Sequence, residues 1–318
     1  MVLGSVEIVD SSFSFGLLQL VGHGRKTNDN CGVVRSYYGC VHVESHDIIA
    51  SDGKNHKGEV FVRKVVFSCD KPSCPVCYKF GWAGREAHKI EVRLAEAGKR
   101  FGLVEHIVAS VPVRDYGLSY EVLRVKAVKT LFSCGVVGGV LIFHGFRYND
   151  AYEAMLKHVP MGWYWSPHFH VLGFIFGGYS RCRHCKGGNC YACDGFEGRV
   201  YRCYRDNGYI ISVKDERKTV GGTAWYQLNH ATIKKGVERF HVATWFGVCS
   251  YRRLKVTVER KKLICPICER DLEKLRYNGN RFVMDENLSS GKRKFFAKAV
   301  DECGIPLWVV DAGVKRVW

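Results

Sequence analysis

With 318 residues, 47% of them hydrophobic, the chain can bury a sizeable core, and its length points to two domains or one with embellishments. Lys and Arg number 48 against 31 Asp and Glu, a net charge of +17, so a polyanion, most simply nucleic acid, is the expected partner; the plain alternative is a basic protein that is merely soluble. No apolar run reaches the about eighteen residues that span a membrane and no signal peptide opens the sequence, so no membrane partner is expected and the default compartment is intracellular, the cytoplasm.

Fifteen cysteines in such a chain suggest metal before disulfides. Four Cys-x-x-Cys pairs, grouped in three clusters near polar or basic residues, support that reading.

Residues 1–60 are weakly patterned and read as loops and short strands carrying Cys31 and Cys40. Cys69, Cys74 and Cys77 follow at x4 and x2 spacing around tight turns, three thiols of a structural zinc site whose fourth ligand would be Cys31, Cys40 or His42. The alternative is reduced, buried cysteines. Ala83, Ala87, Ile90, Leu94 and Ala97 recur at steps of three and four and predict a helix over 79–99, with Gly98 at its end and Arg85, Glu86, Lys89 and Arg93 largely off the apolar face. A strand is predicted at Glu105–Val113. A helix over 118–133 is marked by Leu123, Ala127 and Leu131, and Val136–Phe146 reads as a glycine-containing strand carrying His144.

Ser166–Phe174 reads as a buried strand opened by Pro167. Strand side chains alternate, so His168 and His170 share a face, about 6–7 Å apart, and can hold one metal ion. The competing reading is a pair of satisfied histidines, but two imidazoles interrupting an apolar strand need partners.

Residues 177–208 interrupt the fold. Cys182, Cys185, Cys190 and Cys193 place four thiols within twelve positions, the strongest metal signal in the chain, and a closed site of this kind holds shape rather than doing chemistry. Arg181, Arg183, Arg199, Arg202 and Arg205, with tyrosines interleaved, suit phosphate contact and base stacking, or form a solvated charged face. Downstream, Thr223 is a candidate cap for a helix running to about Lys235, on which Tyr226 and His230 are four apart and share a face. Such a tyrosine more often anchors packing through its ring. The basic tail carries Cys265 and Cys268, a further zinc pair with Cys249 as a possible companion and no obvious fourth ligand.

The element order predicts an α+β fold, a central antiparallel sheet with flanking helices plus zinc-binding segments. Three regions are expected: an amino-terminal zinc segment at 1–78, a core at 79–245 with the four-cysteine insertion inside it, and a basic carboxy-terminal region at 246–318. Neither a dinucleotide fingerprint nor a phosphate loop is present, so no nucleotide-hydrolysing motor is expected.

His168-Phe169-His170 on a strand, followed by a helical Tyr226, resembles the HUH endonucleases. Within that superfamily the chain looks most like the rolling-circle replication initiators of plasmids and viruses, and closest to archaeal ones. The resemblance covers Cys69 to Cys77, Trp82 to Ala87, Pro167 to His170 and Trp225 to His230, in order over roughly residues 65–235. It implies an HUH, ferredoxin-like nuclease core, with His168 and His170 on a catalytic Mg²⁺ or Mn²⁺ and a third polar ligand from His144, Glu153 or His158. It implies Tyr226 as nucleophile, with His230 accepting its proton or orienting its ring, beside structural Zn²⁺ in the cysteine sites. The activity implied is nicking and rejoining of single-stranded origin DNA through a 5′-phosphotyrosine, with helicase and polymerase supplied by the host. The chain departs from many relatives in having Asn229 and His230 where a lysine and a second tyrosine often stand. Two other readings stay open: a single-tyrosine transposase or relaxase, and a non-enzymatic zinc-rich DNA-binding regulator.

Overall fold

A computed structural model describes residues 17–49, 53–57, 59–158, 161–175, 203–206, 208–214, 219–237, 240–259, 262–277, 281–284, 294–296, 307–310 and 316–317. Its strands begin with β1 (Leu18–Leu20), β2 (Val34–Gly39), β3 (Glu59–Val66), β4 (Glu105–Ser110) and β5 (Val136–Asn149). They continue with β6 (Gly162–Ile175), β7 (Cys203–Asp206), β8 (Tyr209–Lys214), β9 (Thr232–Lys234) and β10 (Ala243–Gly247). The last are β11 (Glu273–Tyr277), β12 (Arg281–Met284), β13 (Lys294–Phe296), β14 (Leu307–Val310) and β15 (Arg316–Val317). The α-helices are α1 (Ala83–Phe101), α2 (Tyr120–Ser133), α3 (Ala151–Lys157) and α4 (Val220–Leu228).

The chain divides into two compact units, one of residues 1–27 with Cys69–Val258, the other of Asn28–Ser68 with Glu259–Trp318. The first is built on a six-stranded sheet in the order β10-β5-β6-β4-β8-β7, every pairing antiparallel, beside the small β1–β9 pair. The second holds a seven-stranded sheet, β13-β12-β11-β2-β3-β14-β15. Segments that the sequence suggested as separate ends of the chain thus lie side by side in one sheet, β11 on β2 and β14 on β3. The α+β class and the antiparallel sheet agree with the expectation. No helix among the described residues is long and apolar enough to cross a membrane.

Alternation along the central strands sorts the first unit into two cores. Leu141, Phe143, Phe169, Val171 and Ile107 face Leu123, Ala127 and Leu131 of α2. Val140, Ile142, Leu172 and Phe174 face α1 and α4. Each large apolar side chain sealed this way contributes roughly 1.5–3 kcal/mol. Ser119 caps α2, its hydroxyl accepting from the Val122 amide, as a serine before an apolar periodic run should.

The bounds of α1 and α4 and the burial of one α1 residue differ from expectation. A tight π-type turn over Tyr78–Trp82 precedes α1, which runs on past Gly98 to a left-handed Gly102 (φ 87°). Arg93, expected largely off the apolar face of α1, is buried. It is accommodated because its guanidinium donates to Cys249 O at 3.0 Å and Leu254 O at 2.6 Å and lies over the rings of Trp245 and Tyr251. Helix α4 is capped by Thr219 rather than Thr223 and stops at Leu228 instead of running to Lys235, because Thr232–Lys234 is taken into the sheet pairing with β1.

Candidate metal centre

Helices and strands converge on one patch of the central sheet. His168 and His170 project from β6 toward α4, on the same face as Leu172 and Phe174. His144 on β5 is the register partner of His168 and joins them. One ring nitrogen from each of the three lies within 4.8 Å of the others, an arrangement able to hold a metal ion. Of the three residues considered for the third ligand position, only His144 belongs to this group. Glu153 stands in the first turn of α3 and His158 ends that helix, exposed, at φ 53°.

The opposite nitrogen of each ring is already committed, which fixes the tautomers. His144 Nε2 donates to Gln227 O at 2.8 Å, leaving Nδ1 with the lone pair. His168 Nδ1 donates to Ser166 O at 2.8 Å, leaving Nε2. His106, on β4, was not singled out by the sequence reading, though its position on the Val108–Ser110 face of a strand was legible. Its Nε2 stands 2.9 Å from His170 Nδ1 and 3.5 Å from Gln227 Nε2. An amide nitrogen only donates, so His106 Nε2 is the unprotonated nitrogen; its one lone pair accepts the short bond from His170 Nδ1–H, and His170 Nε2 keeps its own lone pair. Partners that hold a ligand by its far nitrogen are the ordinary support of a histidine metal site.

Burial is the largest cause pushing all three histidines below the usual imidazole range, His168 to about 3, and nearby positive charges, Arg147 among them, act the same way. The rings are therefore neutral at pH 7 and ready to bind a cation without first losing a proton.

Tyr226 lies on the exposed side of α4, at 37% exposure, one residue before the Gln227 that anchors His144. The His230 ring is 4.7 Å from the Tyr226 ring, and its Nδ1 donates to Tyr226 O at 2.9 Å. The two were expected to share a helix face; His230 instead follows the last turn, though its ring still meets that of Tyr226. Next to His144, Gly145 admits close packing of Thr232 and Trp165: its amide donates to Thr232 Oγ1 at 2.7 Å, and a Cβ there would fall 2.5 Å from the Trp165 ring.

Two cysteine groups are also assembled. In the first unit the sulfurs of Cys69, Cys74 and Cys77 lie within 4.8 Å of one another. Of the residues considered to complete them, Cys40 is engaged elsewhere. In the second unit Cys40, His46, Cys265 and Cys268 form a four-ligand group. His46 Nδ1 donates to Glu59 O at 2.7 Å and turns Nε2 to the sulfurs of Cys40 (3.2 Å) and Cys265 (3.3 Å), while Cys40 and Cys268 sulfurs are 3.4 Å apart. Cys40 donates to Cys265 and holds that thiol well below the usual thiol range. Burial opposes protonation of His46, but the Cys265 and Cys268 sulfurs outweigh it and raise the ring to about 9. An anionic sulfur cluster closed in this way suits Zn²⁺. Sequence reasoning found two of these four ligands, offered Cys40 only to the other cysteine group and missed His46; both come from about 220 positions away in the chain and carry no local spacing signal.

Cys249, suggested as the companion of Cys265 and Cys268, does not join them. It is packed in the apolar core against α1, where burial pushes its thiol up to about 11. Cys265→Ser is accordingly expected to remove one zinc per chain and to lower the melting temperature, whereas Cys249→Ser leaves the zinc content unchanged; metal analysis of the purified variants checks both.

Cys182, Cys185, Cys190, Cys193, Arg181, Arg183, Arg199 and Arg202 lie outside the described residues. Arg205 is on β7, opposite Ile210. Compared with protein-family models, with curated proteins and with solved structures, the chain matches none at a significant level.

Proposed function

We propose that this chain nicks and rejoins single-stranded DNA through a tyrosyl intermediate, and that it does so at a plasmid or viral origin to start rolling-circle replication. The observation that carries the reading is the juxtaposition of three neutral, tautomer-locked histidines with an exposed tyrosine on the helix that anchors one of them. The net charge of +17 supports a polyanionic substrate. A regulator that only binds DNA needs the cysteine groups alone and gives no reason to bury three imidazoles together at the expense of their solvation.

His144 Nδ1, His168 Nε2 and His170 Nε2 would hold the divalent ion. Bound there, it would neutralise the non-bridging oxygens of a phosphodiester and orient the bond. Of the two ions expected, an all-nitrogen set fits Mn²⁺ better than Mg²⁺, which prefers oxygen ligands and keeps its waters. Tyr226 Oη attacks phosphorus, the P–O3′ bond breaks, and the strand is left with its 5′ phosphate on the phenol and a free 3′ hydroxyl. The phenolic proton must leave, since an unperturbed tyrosine ionises only near pH 10. His230 is the acceptor: its Nδ1–H is tied to Tyr226 O, which leaves Nε2 basic. Attack by a 3′ hydroxyl on the phosphotyrosine reverses the step and rejoins the strand, so joining needs no nucleotide cofactor.

Labelled single-stranded origin DNA incubated with the protein and Mn²⁺ should yield a covalent protein–DNA band on a denaturing gel. No band with the cognate origin strand and any divalent ion would refute this reading.

A further inference from the structure

The β-strand alternation that put His168 and His170 on one face would turn Arg147 away from His144. The register breaks between His144 and Phe146, where β5 advances two residues while its partner on β6 moves from His168 to Trp165. The extra residue is on β6, three positions against two on β5, so the pairing on the two sides of the break is out of step. Beyond it Arg147 reaches the histidine face: its Nη2 donates to Ser110 Oγ at 3.0 Å, and Ser110 is the register partner of His168. Its charge opposes protonation of His144, His168 and His170 alike.

Among the described residues Arg147 forms no ion pair, its one hydrogen bond is to that serine, and its Nε is shut off from solvent without a partner. A guanidinium kept unneutralised beside a cation site is costly to fold, because like charges are brought together and a donor is left unmade. An oxyanion seated between the two relieves both costs.

We propose that Arg147 is a phosphate-gripping residue, its free guanidinium edge holding a non-bridging oxygen of the phosphodiester that lies over the His144–His168–His170 group. The phosphodiester identity of the anion rests on the function proposed above; the placement of the cation does not. Arg147 adds a fixed fork to an ion that any metal-binding histidine set would supply, and so sets the register of the strand along the sheet.

The test uses the full chain loaded with Mn²⁺ and the dinucleotide thymidylyl-(3′→5′)-thymidine, followed by paramagnetic broadening of its phosphorus resonance. Arg147→Gln should weaken dinucleotide binding about 10- to 100-fold, the range for a charged hydrogen bond, and Arg147→Lys should weaken it less. Mn²⁺ affinity, read by electron paramagnetic resonance without dinucleotide, should rise in Arg147→Gln because a like charge is gone. A merely structural arginine would lower both affinities. Equal dinucleotide binding by Arg147→Gln, a fall in its Mn²⁺ affinity, or no broadening with the unchanged protein would overturn the assignment. Arg147-dependent binding in a chain that never forms a DNA adduct would keep the assignment and remove the nuclease reading. An adduct formed at full rate by Arg147→Gln would do the reverse.

Discussion

Tyr226→Phe should abolish the covalent DNA adduct while leaving Mn²⁺ and DNA binding intact. The substitution removes one oxygen from a side chain already 37% exposed, so it opens no cavity and breaks no core contact. The ring stays beside His230, and the His144–Gln227 hydrogen bond, made by backbone, is untouched. The nucleophile is lost while the ring and the backbone anchor stay, so the effect falls chiefly on the chemical step. His230→Ala provides the graded comparison. It should slow adduct formation by about 10²–10⁴-fold at neutral pH, the usual contribution of a positioned base, and less as pH approaches the tyrosine range. An adduct on Tyr226→Phe would show that another residue attacks; the tyrosine would then be a packing or stacking group.

His144→Ala should cost at least as much in metal binding as His168→Ala, and both should lose adduct formation with it. Sequence left the third ligand open among three residues; geometry points to the one whose ring nitrogen reaches the other two. Removing a residue that merely holds a ligand in place costs about 10–100-fold in metal affinity, and removing a ligand should exceed that. Glu153→Gln and His158→Ala are expected to leave Mn²⁺ affinity unchanged, since neither joins the group. His106→Ala should fall between, because it frees His170 Nδ1 without touching the bonding nitrogen. Titration with Mn²⁺ followed by electron paramagnetic resonance orders the five variants. Unchanged affinity in His144→Ala would remove it from the site.

Local pattern was enough for much of this molecule. Steps of three and four marked the buried faces of α1 and α2, and period-two alternation put His168 and His170 together, because helix and strand geometry impose those periods residue by residue. Arg93 escaped that logic: whether an arginine can be buried depends on two carbonyls and two rings more than 150 positions away. The same holds for Cys40 and His46, which reach Cys265 and Cys268 only because β2 and β11 pair.

The amino-acid order by itself determined the α+β class, the two-histidine strand, a helix carrying Tyr226 and the local pairing of cysteines, since each follows from local spacing. Tertiary structure alone decided that His144 completes the histidine group, that His106 and Gln227 lock its tautomers, and that Arg147, past a register break, reaches the same face through Ser110. Ligand sets and register breaks arise where strands distant in sequence meet, and the free energy that selects them belongs to that meeting rather than to any one segment.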